Sequence, residues 1–218
     1  STQVTSANLN NVLGDSTATV KFDPDTNTLT LEDAKIASYH KKLLSPPGAT
    51  EEVYGGFQIY SGYMDLTIEL KGTNEITGRS LAGNFFDKYF GIYSKQDITF
   101  KGDGTLSLTY PTVFEYAVGL SSENGDLTFE GSPKVILSIN ENMGSVNDLI
   151  SIFGNNITFK DDVSVEIVTR LNEALGLNVE NAAVLAANKV EISGNAKLIA
   201  ESSQYGIYCP GSGEEHKY

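Results

Sequence analysis

The chain has 218 residues, 15 Lys and Arg against 28 Asp and Glu for a formal net charge of -13, one cysteine, two histidines and no tryptophan. So acidic a chain lacks the basic footprint that phosphate backbones and anionic lipid require, and no apolar run approaches the ~18 residues needed to span a bilayer. A single cysteine excludes an internal disulfide and a cysteine-based metal site, and two histidines leave little for a histidine-rich centre or an acid/base relay.

Residues 1–16 are polar and read as a flexible N-terminal segment. Residues 17–36, TATVKFDPDTNTLTLEDAKI, read as strand, Asp-Pro-Asp-Thr-Asn turn and strand, a hairpin-like cap. Asp23-x-Asp25-x-Asn27 opens like a calcium loop, but Thr28 and Ala34 stand where an EF-hand needs Gly and Glu, so turn chemistry explains it better. Residues 45–56, SPPGATEEVYGG, form a Pro/Gly-rich loop with too little charge for a domain linker.

From Gly56 onward the chain repeats itself. Alternating triplets begin at Leu66, Ile98, Leu127, Ile157 and Val190, at intervals of 32, 29, 30 and 33 residues. Each unit holds a short apolar run, the triplet, a turn such as Lys101-Gly102-Asp103-Gly104, and a third run such as Leu106-Ser107-Leu108 or Val163-Ser164-Val165. A triplet with one apolar face cannot bury that face alone, whereas stacking equivalent triplets pairs their backbones and builds a continuous interior. The expected fold is an all-β, right-handed parallel β-helix (solenoid) of about six short coils with the N-terminal hairpin-like cap. An antiparallel sandwich also has short strands at regular spacing, but gives no reason for similarity at a period near thirty.

Two insertions interrupt the repeat, residues 140–149 and 169–182, and hold the best helical turns, Leu171 and Leu175 forming an i, i+4 pair. Such insertions gather on one face of a solenoid. The domain plan is therefore a flexible segment over 1–16, one β-helix domain over 17–209 and a disordered tail over 210–218.

The string FDPDTNTLTLEDAKI at 22–36, followed by units of the form GI–ITF–GDG–LSL, resembles the repetitive β-solenoid modules of secreted and cell-surface bacterial proteins, which include carbohydrate-binding-like ones. The resemblance runs from about residue 17 to 209. It implies an extracellular or cell-surface location, and a first residue Ser1 suits a mature chain freed of its signal peptide. Of the motifs of polygalacturonase-like β-helix enzymes only an Asp-Asp pair, Asp161-Asp162, occurs, without a His or Arg-x-Lys partner. Neither Arg79 nor Arg170 stands beside a proline, as a pectate-lyase-like site would need. Asp161 and Asp162 are weak metal candidates, and a solvated turn accounts for them.

No Gly-x-Ser-x-Gly elbow is present, and His40 and His216 read as surface residues. Cys209 lacks a basic neighbour and reads as a small buried apolar residue. One positive signal remains. Aligning QIYSG, GIYSK and GIYCP places Tyr60, Tyr93 and Tyr208 at equivalent positions. If Ile59, Ile92 and Ile207 point inward, the tyrosines face outward as a ladder on which sugar rings can stack, unless neighbouring loops cover them into a satellite cluster.

The expected protein is a non-enzymatic, secreted or surface-exposed module that binds a glycan or mediates adhesion to a cell-surface partner. The alternatives are a polysaccharide-active lyase or hydrolase of the β-helix type, and a structural spacer. No cofactor is expected beyond adventitious calcium, no nucleic-acid or membrane partner, and, because the ends look capped, a monomer.

Overall fold

The computed structural model describes residues 2–45, 50–78, 87–110, 114–139, 146–169, 181–202 and 204–210, and among them there is no helix. A hairpin of β1 (Val20–Asp23) and β2 (Thr28–Glu32) leads into β3 (Lys35–Ile36) and β4 (His40–Leu43). Three turns of three strands follow: β5 (Tyr54–Ser61), β6 (Leu66–Lys71) and β7 (Thr73–Thr77); β8 (Lys88–Ser94), β9 (Ile98–Gly102) and β10 (Thr105–Tyr110); β11 (Phe114–Ser122), β12 (Leu127–Phe129) and β13 (Lys134–Ile139). In the next two turns the first two strands fuse into one bent strand, β14 (Val146–Phe159) before β15 (Ser164–Thr169), and β16 (Asn181–Ile192) before β17 (Lys197–Ser202). A last strand, β18 (Tyr205–Tyr208), begins one more turn.

Every turn pairs in parallel with the next, so the chain is a parallel β-solenoid with three faces. The first face stacks β5, β8, β11, the start of β14, the start of β16 and β18. The second stacks β2, β6, β9, β12 and the ends of β14 and β16. The third stacks β3, β7, β10, β13, β15 and β17. The five sequence triplets lie in one column, with Leu66, Ile98, Leu127, Ile157 and Val190 in direct register.

Complete turns number fewer than the six expected. Four, from β5–β7 to β14–β15, have strand neighbours on both sides on all three faces; β2–β3 and β16–β18 are the ends. Two local expectations also shift. Val146–Leu149 is the start of β14 and not part of an insertion. In the fourth unit Val165 and Ile167, not Val163 and Val165, stand in register with Val135 and Leu137. Residues 140–145, the Leu171–Leu175 pair and residues 211–218 lie outside the described residues.

The interior follows from the alternation. Leu127-Thr128-Phe129 buries its first and third residues and leaves the threonine half-exposed, and β6, β9 and the end of β14 do the same. Phe100, Phe129 and Phe159 stack face to face along the axis at 5.0 and 4.9 Å. At the corner before the triplets a column of short polar residues ties turn to turn. Asp97 N–H donates to Asp65 Oδ1 (3.3 Å), Asp126 N–H to Asp97 Oδ1 (2.8 Å), and Asn156 N–H and Nδ2 to Asp126 Oδ1 (3.1 and 2.8 Å).

At the next corner the chain enters the left-handed region once per turn, at Gly102, Gly131, Asp161 and Gly194. A Cβ on Gly102 would lie 2.2 Å from the Leu70 carbonyl oxygen, so only glycine fits there.

The N-terminal end is partly covered by the hairpin. β1 and β2 pair antiparallel, and the Asp23 carboxylate accepts the Asp25 N–H (3.0 Å) and the Thr26 hydroxyl (2.9 Å), the turn chemistry expected of Asp-Pro-Asp-Thr-Asn. The preceding segment is tied down as well: Val12 is buried in the core, its N–H donates to Val20 O (2.8 Å), and Phe22 N–H donates to Leu9 O (2.8 Å).

Candidate functional site

The first face differs from the other two in being apolar on both sides. Tyr89, Ile92, Ala117, Leu120, Leu149 and Ile152 point into the solenoid, while Phe57, Phe90, Tyr93, Tyr116, Val118, Ile150, Ala182 and Leu185 form a second buried cluster on the outer side. Inside, Gly91 sits where a Cβ would meet Leu108 Cδ1 at 2.4 Å and the Gly119 carbonyl at 2.7 Å, so adjacent walls approach closely at this corner.

Tyr60 and Tyr93 are direct register partners on β5 and β8, and their rings stack at 5.5 Å with 6° between planes. They do not form an open ladder. Tyr93 is 4% exposed, wedged edge-on against Phe57 and Phe90, which themselves stack at 4.9 Å. Burial, then the neighbouring Glu123 carboxylate and Tyr60, drive the Tyr93 hydroxyl far above the usual phenol range, so it stays neutral. Tyr208 is remote: Ser121, Phe153 and Leu185 occupy the intervening rungs of that column. It stacks on Tyr205 (4.8 Å) at the opposite end. Ile92 points inward as expected and Ile59 packs against the core, but Ile207 is half-exposed, with no strand beyond it among the described residues.

Tyr60 is the half-buried member of the pair and closes the N-terminal mouth of the solenoid. The antiparallel strand β4 brings Lys42 over its ring, the ammonium 3.9 Å from the centroid and hydrogen-bonded to the hydroxyl. Beside it opens a cavity of about 700 Å³ between the N-terminal segment, the hairpin and β3–β5. Val12, Leu29, Ile36 and Ile59 make its floor; Tyr39, Tyr60, Ser38, His40 and Gln58 make its walls. Gln58 is fixed there: its Nε2 donates to the carbonyls of Thr77 (2.9 Å) and Ile36 (3.3 Å), and its Oε1 accepts the Tyr89 hydroxyl. The size falls within the ~300–1,000 Å³ usual for small-molecule sites, and an apolar floor with a few fixed polar groups is their usual lining. Neither the length of the N-terminal segment nor its polar composition announces that it would fold back to build this wall.

Asp161 and Asp162 are turn residues. Asp161 fills the left-handed position held by glycine in neighbouring turns, and its Oδ2 accepts the Gly131 N–H (2.9 Å), while Asp162 Oδ1 accepts Asn195 Nδ2 (2.9 Å). Among the described residues no three His, Cys, Asp or Glu side chains gather as a metal site. His40 is exposed at the cavity rim, as a surface histidine should be. Cys209, in contrast, is exposed and not buried, lying just after β18 where no described strand covers it.

No family model matches the chain, and no curated protein and no solved structure matches it either.

Proposed function

We propose that this chain is a non-enzymatic, secreted or surface-exposed β-solenoid module that binds a glycan, seated at the N-terminal mouth against Tyr60. The observation that carries the proposal is the cavity, where the edge of the half-buried Tyr60 ring stands beside an apolar floor and fixed hydrogen-bonding groups. A pyranose ring has the matching character, one apolar face and a rim of hydroxyls. Tyr93 supports Tyr60 from behind by stacking, and the Lys42 ammonium fixes its other flank.

The test is retardation of the chain in affinity gels containing plant, bacterial and mucin polysaccharides. Tyr60→Ala should weaken binding at least about tenfold, the equivalent of one lost ring contact of about 1.4 kcal/mol. Tyr93→Ala is the wrong probe, since its ring is buried. Absence of retardation by every polysaccharide at millimolar sugar would overturn the proposal in favour of a spacer. Release of reducing ends or unsaturated products would replace it with the enzymatic alternative.

A further inference from the structure

At the C-terminal end of the solenoid no described strand covers the last turn. Among the described residues β17 pairs only with β15, residues 189–192 of β16 pair only with β14, and β18 pairs only with β16. The interior runs out to this end uncovered: Ile192 stands opposite buried Phe159 and Ile207 opposite buried Val184, yet they are 49% and 47% exposed. Leu198 and Ala200, opposite Val165 and Ile167, continue the same core.

We propose that a second copy of this chain closes this end, tail to tail, about a two-fold axis through Ile199. The register is self-complementary. Antiparallel pairing of β17 with its copy centred on Ile199 sets Lys197 opposite Glu201 of the second copy twice, and Leu198 opposite Ala200 of the second copy twice. Residues of the outer side meet outer ones and inward residues meet inward ones, so the two cores join.

The stagger of the end fits the same operation. A solenoid climbs one strand spacing of about 4.8 Å per turn, hence about 1.6 Å from one face to the next. Residues 189–192 are therefore the lowest edge, β17 stands one step above them and β18 two steps. A two-fold axis normal to the third face exchanges the first and second faces. With β17 at pairing distance from its copy, it sets β18 of each chain about 4.8 Å from residues 189–192 of the other. All three edges are satisfied at once, every new pair is antiparallel, and the apolar ends meet. At the N-terminal end, by contrast, the hairpin and the buried Val12 cover part of the core.

The experiment is sedimentation velocity of the full chain over low to high micromolar concentrations, with circular dichroism to verify folding. The wild-type chain should be a dimer. Ile199→Lys, a change at an exposed position that sets two ammonium groups face to face, should weaken association at least about tenfold. Lys197→Glu and Glu201→Lys should each weaken it, and the double charge exchange should restore it. In a Cys209→Ser background, Ile199→Cys should oxidise to a disulfide-linked dimer, since Ile199 faces its own copy. A monomeric wild-type chain at every concentration overturns the proposal, as does a dimer indifferent to Ile199→Lys. Single charge variants that associate like the wild type would overturn the register.

Discussion

Phe129 is the middle ring of the axial phenylalanine column, fully buried and stacked at 5.0 Å on Phe100 and 4.9 Å on Phe159. Phe129→Ala removes a core side chain, which costs about 3–5 kcal/mol from lost burial and the remaining cavity. It also breaks two aromatic pairs, each contributing about 0.5–1.5 kcal/mol beyond burial. The turns on either side hold the cavity open, so relaxation is limited and the upper end, about 4–5 kcal/mol, is expected. Phe159→Ala breaks only one stacked pair, and its other column neighbour, Ile192, is half-exposed, so about 3 kcal/mol is expected there. The assay is equilibrium urea unfolding of both variants at common m-value, in the Ile199→Lys background so that association does not enter. Equal losses for the two variants, or a loss below about 2 kcal/mol for Phe129→Ala, would refute the claim that the column acts as a continuous stacked core.

Asp126→Ala should cost about 1–2 kcal/mol and raise hydrogen exchange at the Asn156 amide, because that N–H loses its acceptor across the turn boundary, while Asp126→Asn keeps an acceptor and should cost less. Acid should loosen the N-terminal cap. The Thr19 hydroxyl, with the amides of Thr19, Ala18 and Thr17, holds the Asp15 carboxyl below its ordinary 3.8 against a smaller upward push from burial. A lowered folded value means a stabilising contribution that is present above the unfolded value and lost as pH falls through the folded one. Protection against hydrogen exchange in residues 11–22, relative to the intrinsic rate, should therefore fall below about pH 4, and Asp15→Asn should remove that acid-dependent part.

The second face was the most legible part of the chain. Triplets with one apolar and one polar side admit a single orientation, and their spacing alone set the register of Leu66, Ile98, Leu127, Ile157 and Val190. The polar corner was visible too, as Asp65, Asp97, Asp126 and Asn156 immediately before the triplets, though its meaning depends on one residue's carboxylate reaching the next turn's amide. The first face was harder. Runs such as Lys88-Tyr89-Phe90-Gly91-Ile92-Tyr93 are apolar on both sides, and period-two alternation cannot rank two buried sides. Tyr93 consequently looked like an exposed rung when it belongs to a second cluster. The cavity at the mouth depends on Val12 and its neighbours folding back, a tertiary event with no local pattern. Cys209 looked buried by its composition, but position at the end of the stack decided its exposure.

The bonds that cross the polar corner join residues about one turn apart, Asp97 to Asp65, Asp126 to Asp97 and Asn156 to Asp126, and the sheet ladders do likewise. Each layer is thus held chiefly by the two beside it, as beads on a rod touch only adjacent beads. During synthesis from the N-terminus, the hairpin is complete before the first turn emerges, and every later turn finds a finished edge to copy. The same arrangement makes length a free variable: excising residues 98–126 would bring Leu127 onto Leu66 in the register Ile98 now occupies, shortening the rod by one layer and leaving both its ends as they are.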